Sequence, residues 1–248
     1  MAADTSDDGD TRKRIVIQEN GPYTVYGDIP LVRKTQVVSE FGEPLTWQKE
    51  GAIPVSEGEY CLCRCGRSSD QPFCDGAHRT VGFDGTELAD TRLSEARAIN
   101  WARGTHIIVN RDSSLCMQSG YCGLRDASLS QLVAATKDTK MRSLVMAMVE
   151  RCPAGALTYR IEMDGPNIEP DLPQQVAVTT EITADGPITG PLWVTGGIPV
   201  ERSDGQPFET RNRVTLCNCG HSCRKPLCDG THRNMAQLEA RRRRITGR

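Results

Sequence analysis

Residues 63–78 read CRCGRSSDQPFCDGAH, and residues 217–232 read CNCGHSCRKPLCDGTH. Each stretch carries three cysteines and one histidine in the spacing C-x-C-x8-C-x3-H. Cys63, Cys65, Cys74 and His78 recur as Cys217, Cys219, Cys228 and His232, each displaced by 154 residues. Ser68, Pro72, Asp75 and Gly76 recur at the same offset as Ser222, Pro226, Asp229 and Gly230. Two cysteines two apart on extended backbone point the same way and can bite one metal centre. Gly66 and Gly220 let the backbone pass close to such a centre. Asp75 predicts the N-cap of a helix, whose positive end would lie beside Cys74 and His78. Spacing alone leaves two occupants open. Three cysteines and a histidine are an ordinary set for structural zinc. A two-iron cluster with histidine on one iron is equally reasonable chemistry.

The rest of the composition narrows the setting. The chain has 248 residues, a formal net charge of −2 and 5% aromatic residues. Near-neutral charge gives no whole-molecule field toward nucleic acid or an acidic substrate. A core poor in aromatics buries little area per residue, and small domains of that kind often rely on metals or disulfides. There are 11 cysteines, an odd number that does not suit a full disulfide set. The opening MAADTSDDGDTRKR is polar and charged, unlike a signal or transit peptide. No run approaches the length of a membrane span. The expectation is a cytoplasmic protein without membrane contact, whose cysteines serve metals.

Residues 1–14 read as an acidic-then-basic disordered tail. Short strands are expected at 15–17, 23–27 and 33–38, broken by turns such as Asn20-Gly21-Pro22. A weakly helical connector is expected within 84–103, then a strand over 106–110 that includes His106. Helices are predicted around 128–136 and 141–150, the second stopped by Cys152-Pro153, and a strand follows over 156–163. Residues 164–200 return to strands broken by glycine and proline. Upstream of the second Cys/His block, DGPITGPLWVTGGIPV echoes NGPYTVYGDIPL from upstream of the first. Two copies of one unit therefore flank a segment that is not a copy. The C-terminal 236–248 reads as a basic tail in a fraying helix, and Arg241 to Arg244 within it as a solvated end.

The middle segment has its own cysteines, in LCMQSGYC and RCPAGAL: Cys116, Cys122 and Cys152. A ferredoxin loop carries C-x2-C-x2-C with a distant Cys-Pro. Here Ser119 stands at the central position. Cys61 and Cys223 lie outside both patterns and read as small buried or loop residues. His106 and His221 fall outside any ligand spacing. No nucleophile–base pair, P-loop or dinucleotide glycine turn is present, so the chain does not read as an enzyme.

The full wording of the repeat, C-x-C-x2-S-x3-P-x-C-D-G-x-H, resembles the CDGSH iron–sulfur family of mitoNEET-like proteins, and VGFDG at 81–85 looks like that family's continuation. The resemblance implies one [2Fe–2S] cluster on Cys63, Cys65, Cys74 and His78, and another on Cys217, Cys219, Cys228 and His232. Residues 103–162 resemble the divergent single-cluster ferredoxin-like domain that accompanies such modules in bacteria. That implies a cluster on Cys116, Cys122 and Cys152. Many members of that family have a histidine where this chain has Gln118, so the fourth ligand is open: [3Fe–4S] is the expectation and [4Fe–4S] the alternative.

The fold class expected is α+β. Two small β-rich CDGSH modules (15–95 and 164–235) would form an intramolecular pseudo-dimer with a β-cap around a ferredoxin-like domain (103–163). The function expected is electron transfer by a monomer with internal pseudo-two-fold pairing, serving a redox partner such as a reductase or oxygenase. The alternatives are cluster storage, cluster transfer or redox sensing, and a structural zinc protein.

Overall fold

Ile15 and Ile17 alternate with half-buried neighbours along the first strand, the period-2 pattern of a strand with one face on the core. In a computed structural model that describes residues 12–235, this strand, β1 (Arg14–Ile17), is followed by β2 (Tyr23–Tyr26), β3 (Leu31–Val38), β4 (Pro44–Ile53) and β5 (Glu59–Leu62). A helical turn, α1 (Ser94–Arg97), precedes β6 (Ile99–Gly104), β7 (Ile107–Arg111), α2 (Leu129–Ala134), α3 (Thr139–Glu150) and β8 (Leu157–Arg160). The chain continues with β9 (Gln175–Thr183), β10 (Gly186–Thr195), β11 (Val200–Glu201) and β12 (Arg213–Leu216). The architecture is mixed α+β.

Three sheets result, in the orders β11-β1-β2-β5, β12-β10-β9-β3-β4 and β6-β7-β8. The first two exchange strands. β11, from the C-terminal half, lies parallel to β1 with Ile15 opposite Val200. β3, from the N-terminal half, lies parallel to β9 with Leu31 opposite Val176. The echo of GPYTVYGDIPL in GPLWVTGGIPV places Leu31 and Val200 at equivalent positions, so the two exchanges are reciprocal. The chain crosses over at Ile29-Pro30 and at Ile198-Pro199. Ile29 and Ile198 are fully buried there, and proline is tolerated where no ladder bond is required.

The third sheet and two helices form the middle segment. Ser128 caps α2 with a reciprocal capping box to Gln131. Asp138 caps α3 by accepting from the backbone of Lys140 and Met141. Leu129, Val133, Val145 and Val149 are buried, and they belong to one hydrophobic core with Ile15, Leu31, Val176 and Leu216. All three parts of the chain thus share a core.

Several expectations change. Arg14 sits in β1 rather than in a tail. β4 and β6 were not expected; β4 lies at a sheet edge with exposed positions along most of its length, which erases the alternation. The connector holds one helical turn and then a strand. His106 lies in the turn between β6 and β7, at φ +55°, and not on a strand. The expectations for residues 1–11 and 236–248, including the basic run, lie outside the described residues.

Candidate metal centres

β5 and β12 deliver the two Cys/His blocks. Each ends one residue before the first cysteine of its block, at Leu62 and Leu216. The chain then turns back through Gly66 and Gly220. In the first block Cys63 Sγ and Cys65 Sγ are 3.8 Å apart, and Cys74 Sγ lies 3.4 Å from His78 Nδ1. In the second, Cys217 and Cys219 are 3.6 Å apart, and Cys228 Sγ lies 3.4 Å from His232 Nδ1. Two thiolates about 2.3 Å from one tetrahedral metal would stand about 3.8 Å apart, and a thiolate and an imidazole about 3.6 Å. The donors therefore fall into pairs, each spaced for one metal. Among the described residues, no three His, Cys, Asp or Glu side chains come together around a single ion.

Backbone N–H groups point at the sulfurs in the same way in both copies. Arg67 donates to Cys65 and His221 to Cys219; Gly76 donates to Cys74 and Gly230 to Cys228. Such donors favour thiolate over thiol. Cys217 is drawn down by its contact with Cys219 and by backbone donors from Ser222, Cys219 and Gly220, while Cys219 is pushed up by the same contact and by burial. Burial raises Cys65, Cys74 and Cys228.

The expected helix after each Asp-Gly is a single 3-10 turn, Ala77–Arg79 in the first block and Thr231–Asn234 in the second. Glycine, at φ +87° and +89°, occupies the cap position, so no helix long enough to carry a dipole forms beside the ligands. Asp75 instead braces the loop. It accepts from the backbone of Ala77 and from the backbone and hydroxyl of Ser69. The Ser69 and Ala77 amides hold its carboxyl down at about 2. Asp229 accepts from Thr231 and Cys223 in the same manner.

The two loops meet back to back. A Cβ on Gly66 would lie 2.6 Å from the Cys219 carbonyl oxygen, and one on Gly220 would lie 2.5 Å from that of Cys65. Both glycines have positive φ. Their role is to let the two loops touch, which spacing alone did not indicate. Tyr23 seals the contact by donating its hydroxyl to the carbonyls of Cys217 and Pro226.

Cys116, Cys122 and Cys152 line one cavity together with Ser119, Met117 and Leu157. Cys152 is buried and receives the backbone N–H groups of Ala156 and Leu157; burial raises it, against the pull of Arg213. Burial likewise raises Cys122, with Cys116 nearby. This loop packs on the second block. Gln118 donates to the Asp229 carbonyl at 3.2 Å, and Arg224 donates to the carbonyls of Ser114 and Cys116 at 2.6 and 2.7 Å.

Residues 20–79 and 189–233 match the family described as iron-binding zinc finger CDGSH type. Residues 102–162 match the family described as divergent 4Fe-4S mono-cluster. The chain is an iron–sulfur protein of two CDGSH-type segments around a divergent mono-cluster segment. No curated protein matches the chain.

The two CDGSH-type sites differ in their surroundings. His78 is half-buried and lines an open cleft of about 770 Å3 with Cys61, Cys74, Gln18 and Phe83. His232 is buried, and its Nε2 lies 3.0 Å from Glu181 Oε2, which also takes Arg233 at 2.7 Å. Cys61 lies in the cleft near Cys74 and approaches Thr24 Oγ1 at 3.7 Å. Cys223 is exposed. Sequence reasoning missed Glu181, Gln118's bond to the second site and Arg224. The shifted offset of the echo gave no signal for Glu181: it reports a shorter connection from Val200 to Cys217 than from Leu31 to Cys63.

Proposed function

We propose that the chain transfers electrons through two [2Fe–2S] clusters and one further cluster. Cys63, Cys65, Cys74 and His78 would hold the first, and Cys217, Cys219, Cys228 and His232 the second. The observation that carries this reading is the pairing of donors. A zinc ion needs four donors around one point, whereas a two-iron cluster takes two donors on each iron, and pairs at 3.4–3.8 Å with no converging trio suit the latter. Cys116, Cys122 and Cys152 would hold the third cluster. Three thiols favour [3Fe–4S]; [4Fe–4S], with Ser119 or an outside group as fourth ligand, is the alternative. A bound cluster supplies one-electron chemistry, and the protein supplies thiolates, N–H donors and separation from water.

The contacts between loops support transfer within the molecule. The two CDGSH-type loops touch at Gly66 and Gly220, and the middle loop touches the second at Gln118 and Gly230. The reciprocal strands support an internal pseudo-two-fold pairing, with the inserted domain docked on one side. The external partner would be a redox protein, a reductase or an oxygenase, and we assign no catalytic step to the chain. Among the described residues, no helix is long and apolar enough to cross a membrane.

Cluster delivery is the second reading, favoured by the cleft beside His78. Paramagnetic resonance of oxidised and dithionite-reduced protein, with iron and sulfide counts, tests the cluster types. An oxidised three-iron signal supports [3Fe–4S], and zinc without sulfide would sink the proposal. Incubating reduced holo-protein with an apo-ferredoxin and an electron acceptor separates the two roles. Reoxidation with clusters retained supports the carrier; loss of clusters to the ferredoxin supports the donor.

A further inference from the structure

We propose that the two CDGSH-type sites are built to be unequal: Glu181 positions His232 so that the second site retains its metal, and the first, ending in His78, is the site that exchanges. This deepens the iron–sulfur reading above and rests on it. The two sites agree in every ligand, so the difference comes from what surrounds them.

In the first copy β1 and β2 are joined by a short turn through residues 18–22. In the second, β9 and β10 run on together as far as Thr183 opposite Gly186, with a bulge between Thr189 and Leu192. Glu181 stands on that extension, where the first copy has no counterpart. Gly190, at the bulge, leaves room for two side chains of β9: a Cβ there would lie 2.4 Å from Thr179 Oγ1 and 3.0 Å from Glu181 Cγ. Arg233 repeats Arg79 at the 154-residue offset, so the arginine after the histidine is common to both copies. Only the carboxylate is new.

Glu181 and the His232 side chain are 0% and 2% exposed. An imidazole leaves a metal by swinging away from it. At the second site that motion would strip Glu181 Oε2 of one partner, and Oε1 has no hydrogen-bond partner among the described residues. Leaving a buried carboxylate underpaired is costly. The middle segment adds cover, since the Met117 carbonyl lies 2.8 Å from where a Gly230 Cβ would stand. His78 has neither restraint: among the described residues its Nε2 has no hydrogen-bond partner, and it faces the cleft.

The test uses full-length holo-protein at one fixed pH. Iron, zinc and acid-labile sulfide are counted first, which tests the iron–sulfur reading separately. An excess of ferrous chelator is then added, and metal loss is followed by visible absorption and by paramagnetic resonance of reduced samples, which separates the two-iron signals from the middle centre. Two phases are expected from the CDGSH-type sites. His78→Cys changes only the faster. Glu181→Leu speeds only the slower, by about 10–100-fold, the usual effect of losing a partner that orients a metal ligand. Glu181→Gln, which keeps the acceptor, restores most of the slow rate. Should Glu181→Leu not fold, Glu181→Ala removes the same carboxylate with less bulk and is expected to speed the same phase. A single phase, equal acceleration of both phases, or no rescue by glutamine overturns the proposal. If the metal proves to be zinc, the iron–sulfur reading fails, while the same variants still decide the inequality from zinc release.

Discussion

Gly66 and Gly76 share a left-handed backbone, with φ of +72° and +87°, but differ in what a methyl group would meet. Nothing lies within 4 Å of a Cβ on Gly76, whereas one on Gly66 would lie 2.6 Å from the Cys219 carbonyl. Gly76→Ala is therefore expected to cost about 1–2 kcal/mol of conformational strain alone. Gly66→Ala adds a clash with the opposite loop, so it lowers the melting temperature further and disturbs the spectrum of the second site as well as the first. Equal melting temperatures for the two variants would show that the loops do not touch. The histidines give a second prediction. His78→Cys and His232→Cys are each expected to keep a cluster and to lower the potential of that site, by on the order of 100 mV, since histidine ligation raises two-iron potentials above those of all-cysteine sites. A redox titration followed by paramagnetic resonance checks this; unchanged potentials in both variants refute the ligand assignment.

At the level of elements, α2 and α3 pack into the shared core together with Cys152. Leu129 is 0% exposed, so Leu129→Ala is expected to cost about 2–5 kcal/mol in denaturant unfolding. Asp138→Ala removes two capping bonds and is expected to cost about 1 kcal/mol. These helices were legible because their apolar positions recur at helical spacing and their caps are ordinary ones. β1, β2 and β3 were legible from β-branched runs between turn residues. β4 was not, because on this edge strand only a few positions, Trp47 and Ile53 among them, are half-buried and they do not alternate regularly. The ligand positions stand in the repeat itself, but their environment does not. Glu181 lies 51 residues from His232, the ligand it contacts, and Gln118 reaches Asp229 across more than a hundred. Contacts of that reach leave no mark in a local spacing. The pairing of strands between halves was expected only through resemblance, since neither β3 nor β11 carries a signal naming its neighbour.

For the whole molecule, the shared core joins the stability of the three centres. Removing metal leaves raised, protonated thiols such as Cys228 and Cys152 inside that core. Chelated apo-protein is expected to melt well below holo-protein, as follows when a ligand binds only the folded state; thermal circular dichroism of the two forms checks it. Reloading is expected to release protons, because the buried thiols must ionise to bind. The exchanged strands also govern when any of this can happen during synthesis. Ile15 pairs with Val200, so the edge of the first sheet stays open until nearly two hundred residues have been made. All four donors of the first site leave the ribosome long before the loop at Cys219 that backs onto Gly66. β11 is made only in the last quarter of the protein, and until then β1 presents an edge open to other chains.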